Sequence, residues 1–191
     1  MTYQPGLPAY DDERNFPSLV WRAVELSRKN AFALASVPEV GRLLQLLASG
    51  ATRICELGTA YGVGAAWIQS GMARGATLLT VEVDPHRAEL ATALFGSTPS
   101  VEVVAGDWTV ALDRGPFDML FSDGGPKRNP GDPEKLLPLL RDGGVVVLDD
   151  YTPGRRDDAS REIWLDNELY RAVELTLTLD AAVIVATKRP Q

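Results

Sequence analysis

An acidic residue, Glu56, stands near the end of the short apolar run that ends at Leu57, and three glycines follow it. Glycines 58, 62 and 64 let the backbone turn tightly and approach a ligand, and the helical pattern that follows offers free N–H groups. The Gly-x-Gly-x-x-Gly pattern of dinucleotide-binding proteins is not met, because Ala60 and Val63 interrupt it. Glu56 would repel a phosphate, so the turn favours a ligand that carries an ammonium and a sulfonium. A Gly-rich connection without a ligand is the alternative.

Acids also end the next two apolar runs. A carboxylate at Glu82 can accept hydrogen bonds from the two hydroxyls of a ribose, as in nucleotide-binding units. Asp107 can meet the amino group of an adenine, and Trp108 can cover the ring. Asp107 has a second interpretation, since aspartate is a preferred N-cap of a helix.

Three aspartates end the fourth and fifth runs, namely Asp123, Asp149 and Asp150. Carboxylate oxygens are the ligands that Mg²⁺ prefers, so these residues are candidate metal ligands. Neighbouring residues of a strand point to opposite faces, and Asp149 and Asp150 can share an ion only if the strand ends or bends there. Alternatively, Asp123 and Asp149 only hold the cofactor or cap loops.

Such strand-end residues meet only if the strands form one sheet. The expected strands are Arg53–Leu57, Thr77–Val83, Val101–Ala105, Phe117–Ser122 and Val145–Asp149, with helical patterns at 64–72, 85–95, 108–112 and 133–140 between them. Alternation of strands and helices predicts a parallel, doubly wound α/β sheet. The runs Arg171–Leu179 and Ala182–Lys188 are separated by two residues, which predicts an antiparallel hairpin. Before the first strand, a helix is expected from Ser18, and Ser36 with Glu39 has the capping-box spacing of a second helix.

The composition is that of a soluble globular protein, with 45% hydrophobic and 24% charged residues among 191. A net charge of −7 without a basic run argues against nucleic-acid binding. One cysteine, Cys55, forms no intrachain disulfide, and the single histidine, His86, cannot build a His-rich metal site. The sequence shows no apolar stretch of membrane-spanning length and no signal peptide, so we expect a cytoplasmic protein without a membrane partner.

At the strand-end residues the sequence resembles a class I S-adenosylmethionine-dependent methyltransferase. It is most similar to the catechol and caffeoyl-CoA type O-methyltransferases and to related bacterial methyltransferases. The resemblance covers about Pro38 to Lys188 and is carried by four segments in the expected order: Glu56–Thr59, Val81–Pro85, Phe117–Asp123 and Leu140–Asp150. It implies a Rossmann-like, mostly parallel seven-stranded sheet that ends in an antiparallel hairpin, with an N-terminal helical extension.

The resemblance also implies the site residues. The expected cofactor-binding set is Glu56, Gly58, Thr59, Gly62, Glu82, Val83, Gly106, Asp107, Trp108 and Asp123. Asp123, Asp149 and Asp150 fall where metal-dependent members hold a divalent ion. Those members carry a catalytic Lys three residues after the first metal Asp, where this chain has Pro126. Lys127 follows one position later and is, with Asp123, the candidate catalytic residue, as a base or substrate contact. Where this chain has Asp150, those members often have Asn.

The expected function is transfer of a methyl group from S-adenosylmethionine to a hydroxyl oxygen of a small molecule, with or without Mg²⁺. Two alternatives are a nicotinamide-dependent oxidoreductase and a cofactor-binding domain without catalysis. We expect one domain over 1–191, in which 49–191 form the cofactor-binding core. The arm and helices of 1–48 would cover the acceptor with Tyr10, Phe16, Trp21 and Phe32, or contact a second copy in a homodimer. Trp21 and Phe32 are favoured for packing or a dimer contact.

Overall fold

The computed structural model describes residues 6–11, 15–155 and 158–190. In this part of the chain the α-helices are α1 (Ser18–Lys29), α2 (Pro38–Ala48), α3 (Val63–Gly71), α4 (Pro85–Phe95), α5 (Asp132–Leu136) and α6 (Ser160–Leu165). The strands are β1 (Arg53–Leu57), β2 (Thr77–Glu82), β3 (Val101–Ala105), β4 (Phe117–Ser122), β5 (Leu140–Tyr151), β6 (Tyr170–Thr176) and β7 (Ala182–Lys188). Short 3₁₀ helices cover Leu7–Tyr10, Trp108–Arg114 and Leu137–Leu139.

The seven strands form one sheet in the order β3-β2-β1-β4-β5-β7-β6. Strands β1 to β5 are parallel, and β7 lies antiparallel between β5 and β6. The predicted Rossmann-like α/β fold with a terminal hairpin is therefore confirmed. The order reverses direction at β1, so the loops after β1 and β4 open a crevice at the carboxyl ends of the strands, where such sheets bind ligands.

Both faces of the sheet are covered, which is why its central strands are apolar on both sides. Ile54 packs with α1, α2 and α3 in one cluster of buried side chains, and its neighbour Cys55 packs in the other. Phe121 and Leu120 of β4 divide in the same way. Because alternate strand residues point to opposite faces, both clusters hold the central strands in one register.

The N-terminal aromatic residues belong mostly to this core. The rings of Tyr10, Phe16 and Trp21 stack in sequence, with centroids 5.0 and 5.2 Å apart. The Tyr10 hydroxyl donates to the carbonyl of Ser36 and accepts from the Trp67 indole N–H. These contacts, with those of Phe16 and Tyr10 to Trp67, attach the N-terminal segment to α3.

Helix α4 starts where the sequence predicts, whereas α2 and α5 start differently from the prediction. The Asp84 carboxylate accepts the backbone N–H groups of His86 and Arg87, as an N-cap of α4 should. The N-cap of α2 is Val37, and no side chain caps it, so the capping box expected from Ser36 is wrong. Asp132 is the first residue of α5, and its carboxylate accepts N–H groups of the preceding loop.

Strand β5 begins at Leu140, five positions before the predicted start. Leu140 was predicted as the last residue of the helix at 133–140. Leu140 pairs with Phe117, and a register shift follows on β4. Next to it, Asp118 accepts hydrogen bonds from the backbone and hydroxyl of Thr52 and from Arg53 and Arg141. Burial opposes ionisation of Asp118, but these hydrogen bonds outweigh it and lower its pKa well below the ordinary value.

In the described residues, no helix is both long and apolar enough to cross a membrane.

Candidate active site

A cavity of about 380 Å³ opens at the carboxyl ends of the parallel strands. Seven of the predicted cofactor-binding residues line it: Gly58, Glu82, Val83, Gly106, Asp107, Trp108 and Asp123. Thr59 lines a smaller, adjoining cavity with Gly58 and Asp123. Glu56 and Gly62 line neither cavity.

The turn after β1 lies against the turn after β4. Gly58 has a φ of +103°, and a Cβ there would lie 2.4 Å from the backbone nitrogen of Gly124. Only glycine fits this position, since both the backbone conformation and the contact exclude a side chain. Ala60 also has a positive φ, of +46°, and its N–H donates to the Glu82 carboxylate at 2.6 Å. The turn therefore brings the ends of β1, β2 and β4 to one floor of the cavity.

Gly62 has a structural role. It is the N-cap of α3 with a φ of +88°, and a Cβ there would meet the side chains of Phe95 and Leu94 on α4. The residue lets α3 start close to α4, and it does not face the cavity. That Gly62 binds the cofactor stays a prediction.

Glu56 lies buried beneath the turn. The Thr80 hydroxyl donates to its carboxylate at 2.5 Å and accepts from the Thr59 hydroxyl, also at 2.5 Å. Burial raises the pKa of Glu56 well above its ordinary value, the hydrogen bond from Thr80 opposes this, and the charges of Asp123 and Glu82 add to the rise. The floor of the site is thus an electronegative region that a cation would stabilise and a phosphate would not.

Glu82 is buried at the end of β2, and its carboxylate accepts two backbone N–H groups. One oxygen accepts from Ala60 and the other accepts from Asp84 at 2.9 Å. These two bonds orient the carboxylate, and each oxygen keeps a lone pair for a further donor. Its position in the cavity wall fits the predicted contact with ribose hydroxyls.

The far wall contains Val83, Gly106, Asp107 and Trp108. The Asp107 carboxylate accepts from the hydroxyl and the backbone N–H of Thr109 at 2.7 and 3.1 Å, which lowers its pKa. Asp107 is therefore the N-cap of a 3₁₀ helix and also lines the cavity, and its contact with adenine stays a prediction. Val83 is 72% exposed and offers an apolar surface to a flat ring.

At the opposite end of the cavity, Lys127 lies among the three aspartates. Its ammonium donates to Asp150 Oδ2 at 2.7 Å and to the carbonyl of Asp123, and it lies 3.8 Å from Asp123 Oδ1. The lysine side chain is 8% exposed. Burial raises the pKa of Asp123 well above its ordinary value, Lys127 opposes this, and the charges of Asp150, Asp149 and Glu82 add to it.

Strand β5 bends where the two neighbouring aspartates stand. The register with β7 shifts between Leu148 and Tyr151, and Asp150 has a φ of +69°. The bulge turns Asp150 into the cavity, while Asp149 is buried and accepts the Asp150 N–H at 2.8 Å. Burial and the charge of Asp150 raise the pKa of Asp149 to about 6.

The metal site predicted at Asp123, Asp149 and Asp150 is not formed in this arrangement. Among the described ranges, no group of three or more His, Cys, Asp or Glu side chains is placed to hold an ion. The physical reason is that the Lys127 ammonium takes the free carboxylate oxygen of Asp150 and the carbonyl of Asp123. A divalent ion there would have to displace an ammonium that is almost fully buried.

One wall of the cavity contains Phe32, an aromatic residue of the predicted N-terminal cover, and two residues that were not predicted as site residues, Leu34 and Arg87. In this wall the Arg87 guanidinium lies 5.0 Å from the centroid of the Phe32 ring. Ser36 lines the adjoining cavity, where its buried hydroxyl lies toward Asp149 without hydrogen-bond geometry to any described residue. The failed capping of α2 by Ser36 is what leaves this hydroxyl available.

The sequence matches the model of a methyltransferase domain over residues 55–151, which is half of the chain and contains all the strand-end acids. The chain belongs to the methyltransferase-domain family. This membership decides for a methyltransferase over the nicotinamide-dependent oxidoreductase that the sequence left open.

Relatives and solved structures agree with this methyltransferase assignment. A protein of Mycobacterium marinum that carries the name of an O-methyltransferase is 32% identical over an alignment of 163 positions, and the alignment covers 80% of this chain and 68% of the relative. The O-methyltransferase from Bacillus cereus, solved in complex with SAH, has a TM-score of 0.76 and 24% identity and covers 96% of both chains. TomG from Streptomyces achromogenes, an O-methyltransferase of tomaymycin synthesis solved with SAM, has a TM-score of 0.74 and 22% identity, over 97% and 96% of the two chains. At these identities the structures show the fold.

Proposed function

We propose that this methyltransferase transfers the methyl group of S-adenosylmethionine to a hydroxyl oxygen of a small molecule. The observation that carries the proposal is the set of groups that line one cavity: Asp107 and Trp108 in one wall, the carboxylate of Glu82, and the pair Asp123 and Asp150, of which Asp150 is bound by Lys127. These groups fit adenine, ribose and the methyl end of the cofactor, respectively. The relatives named O-methyltransferases and the solved complexes with SAM and SAH support it.

The charge of the floor supports a sulfonium cofactor over a dinucleotide. Glu56, Asp123 and Asp149 are buried acids with raised pKa values, and each additional negative charge near them is unfavourable. The ammonium and sulfonium of S-adenosylmethionine bring positive charge to this region. A pyrophosphate would bring further negative charge to the same region.

Each proposed contact is carried by a named group. Glu82 accepts from the ribose hydroxyls, Val83 and Trp108 enclose the adenine, and the turn at Gly58 meets the methionine portion with its backbone. Ser36 Oγ, which is buried without a partner in the described part of the chain, donates to the methionine carboxylate. Phe32 and Leu34 line the same cavity and offer it an apolar surface.

Methyl transfer is an in-line displacement, so the enzyme has to hold the acceptor oxygen opposite the sulfur. A lone pair of the acceptor oxygen forms the new bond to the methyl carbon, and the carbon–sulfur electron pair returns to sulfur as a neutral thioether. The hydroxyl proton passes to the Asp150 carboxylate, which lines the cavity and leaves room for a donor. We assign Asp123 to the orientation of the acceptor.

Calorimetric titration with S-adenosylhomocysteine tests the cofactor half of the proposal, with NADH as the comparison ligand. We expect binding of the former only. A screen of phenols, sugars and other hydroxyl compounds with methyl-labelled S-adenosylmethionine tests the second half. Cofactor binding without turnover of any acceptor would instead support the domain without catalysis.

A further inference from the structure

We infer that Lys127 is a built-in cation of the acceptor site and that this methyltransferase works without a divalent metal. The inference rests on the proposed function, because it concerns the same cavity. The two can fail separately, since metal binding is measured without an acceptor.

The position of the Lys127 ammonium supports this inference. Lys127 Nζ contacts Asp150 Oδ2 at 2.7 Å and the Asp123 carbonyl, and it lies 3.8 Å from Asp123 Oδ1. It therefore lies between two of the three carboxylates that would have to converge on a metal ion. A single ammonium gives these acids a positive partner, and it donates hydrogen bonds in place of metal–oxygen bonds.

Lys127 is held in this position at both ends, by the contacts of its ammonium and by those of its backbone carbonyl. The Lys127 carbonyl accepts the indole N–H of Trp164 at 2.8 Å and the hydroxyl of Tyr151 at 3.1 Å. Trp164 and Tyr151 are both buried. Two buried donors on one carbonyl fix the backbone of the loop, so its side chain enters the cluster from a defined point.

The position of the remaining acid, Asp149, also counts against a shared metal ion. Asp149 Oδ1 accepts the N–H of Asp150, and the left-handed backbone of Asp150 directs the latter's carboxylate to Lys127. The carbonyl of Asp150 is bound by the guanidinium of Arg128. Asp123 and Asp150 thus share the Lys127 ammonium, whereas Asp149 is bound by a backbone N–H, so the three carboxylates do not converge on one common partner.

The chemistry of the step stays balanced with a lysine in this place. The acceptor hydroxyl loses its proton to Asp150, the methyl carbon–sulfur bond breaks towards sulfur, and Lys127 keeps its three protons throughout. The ammonium orients the acceptor oxygen and offsets the negative charge that develops on it. In this role Lys127 is a hydrogen-bond donor. The role of base, for which the sequence suggested Lys127, belongs instead to the carboxylate of Asp150.

Binding of Mn²⁺, followed by its electron paramagnetic resonance signal with and without S-adenosylhomocysteine, is the direct test. We expect the wild-type protein to bind Mn²⁺ with a Kd no tighter than about 1 mM. Lys127→Met keeps the apolar stem and removes the charge, so it should bind Mn²⁺ at least about tenfold more tightly. Lys127→Arg, which keeps the charge, and Lys29→Met, a change at an exposed lysine of α1, should bind Mn²⁺ as weakly as the wild type does.

Activity with labelled cofactor gives a second readout. EDTA and added Mg²⁺ should change wild-type turnover by less than about twofold, and Lys127→Met should lose about 100-fold without rescue by Mg²⁺. Wild-type binding of Mn²⁺ at micromolar concentration, or loss of turnover in EDTA with recovery in Mg²⁺, would overturn the inference. If Lys127→Met does not fold, the wild-type Mn²⁺ titration decides alone. Failure to bind S-adenosylhomocysteine would refute the proposed function and leave the Mn²⁺ result valid.

Discussion

Replacement of Glu82 by Gln should weaken cofactor binding and destabilise the turn after β1. The carboxylate accepts the N–H of Ala60 with one oxygen and the N–H of Asp84 with the other. The amide of Gln has one acceptor oxygen and an NH₂ group that only donates. One of the two backbone N–H groups therefore loses its partner at a residue that is 4% exposed.

The magnitude follows from these contacts. An unsatisfied buried donor costs about 1–3 kcal/mol in the free energy of unfolding, which corresponds to a Tm lower by roughly 2–12 °C for a chain of this size. A hydrogen bond to a charged group contributes about 1.5–3 kcal/mol, so the loss of the charged ribose acceptor should raise the Kd of S-adenosylhomocysteine by about 10-fold to 150-fold.

Isothermal titration with S-adenosylhomocysteine and thermal unfolding without ligand measure the two effects separately. Glu102→Gln is the matched control, because Glu102 stands on the neighbouring strand β3 and pairs with Arg114 at the exposed surface. An exposed pair of this kind contributes about 0–1 kcal/mol, so the control should change neither quantity appreciably. A Kd for Glu82→Gln within twofold of wild type would refute the placement of the ribose at this carboxylate.

Three further changes test other parts of the structure. Gly58→Ala places a Cβ 2.4 Å from the nitrogen of Gly124 at a positive φ, so we expect loss of detectable S-adenosylhomocysteine binding in calorimetry; retained affinity would contradict the contact. The pKa of Asp118 is lowered in the folded state, so its contribution to stability is present above the ordinary pKa of about 3.9 and is lost as pH falls towards the lower value. Between pH 7 and pH 3, Tm should therefore fall more steeply for wild type than for Asp118→Asn, and parallel curves would count against this. Trp164→Phe removes the N–H that holds the Lys127 carbonyl, and should lower kcat by about tenfold with little change in the KM for the cofactor; an unchanged kcat would show that the indole is not needed for positioning.

Most of the sheet could be predicted from the sequence because its signals are local. Short apolar runs between turn residues predict buried strands, and β1, β3 and β4 begin and end where these runs do. The two closely spaced runs near the carboxyl end predict an antiparallel hairpin, since no crossover fits between them. Acids at the ends of parallel strands meet at one edge for the same reason, which placed Glu82, Asp107 and Asp123 in the cavity.

The tertiary structure decided how individual side chains are directed. Whether Asp150 faces the cavity depends on a bulge against β7, and its partner Lys127 comes from a loop far away in the sequence. Ser36 has the spacing of a capping residue, but the Tyr10 hydroxyl donates to its backbone carbonyl. Its side chain is buried and does not cap the helix. Neither outcome has a local signal.

The chain by itself thus determined the order of the strands' acids, and with it the kind of ligand that the crevice accepts. The tertiary structure determined that a lysine contacts the acids at the acceptor end of the crevice. Residue type and spacing determine which groups reach an edge of the sheet, whereas register, bulges and packing between distant segments determine which atoms touch. The three aspartates consequently predict a metal ion in the sequence, and in the structure they surround a lysine.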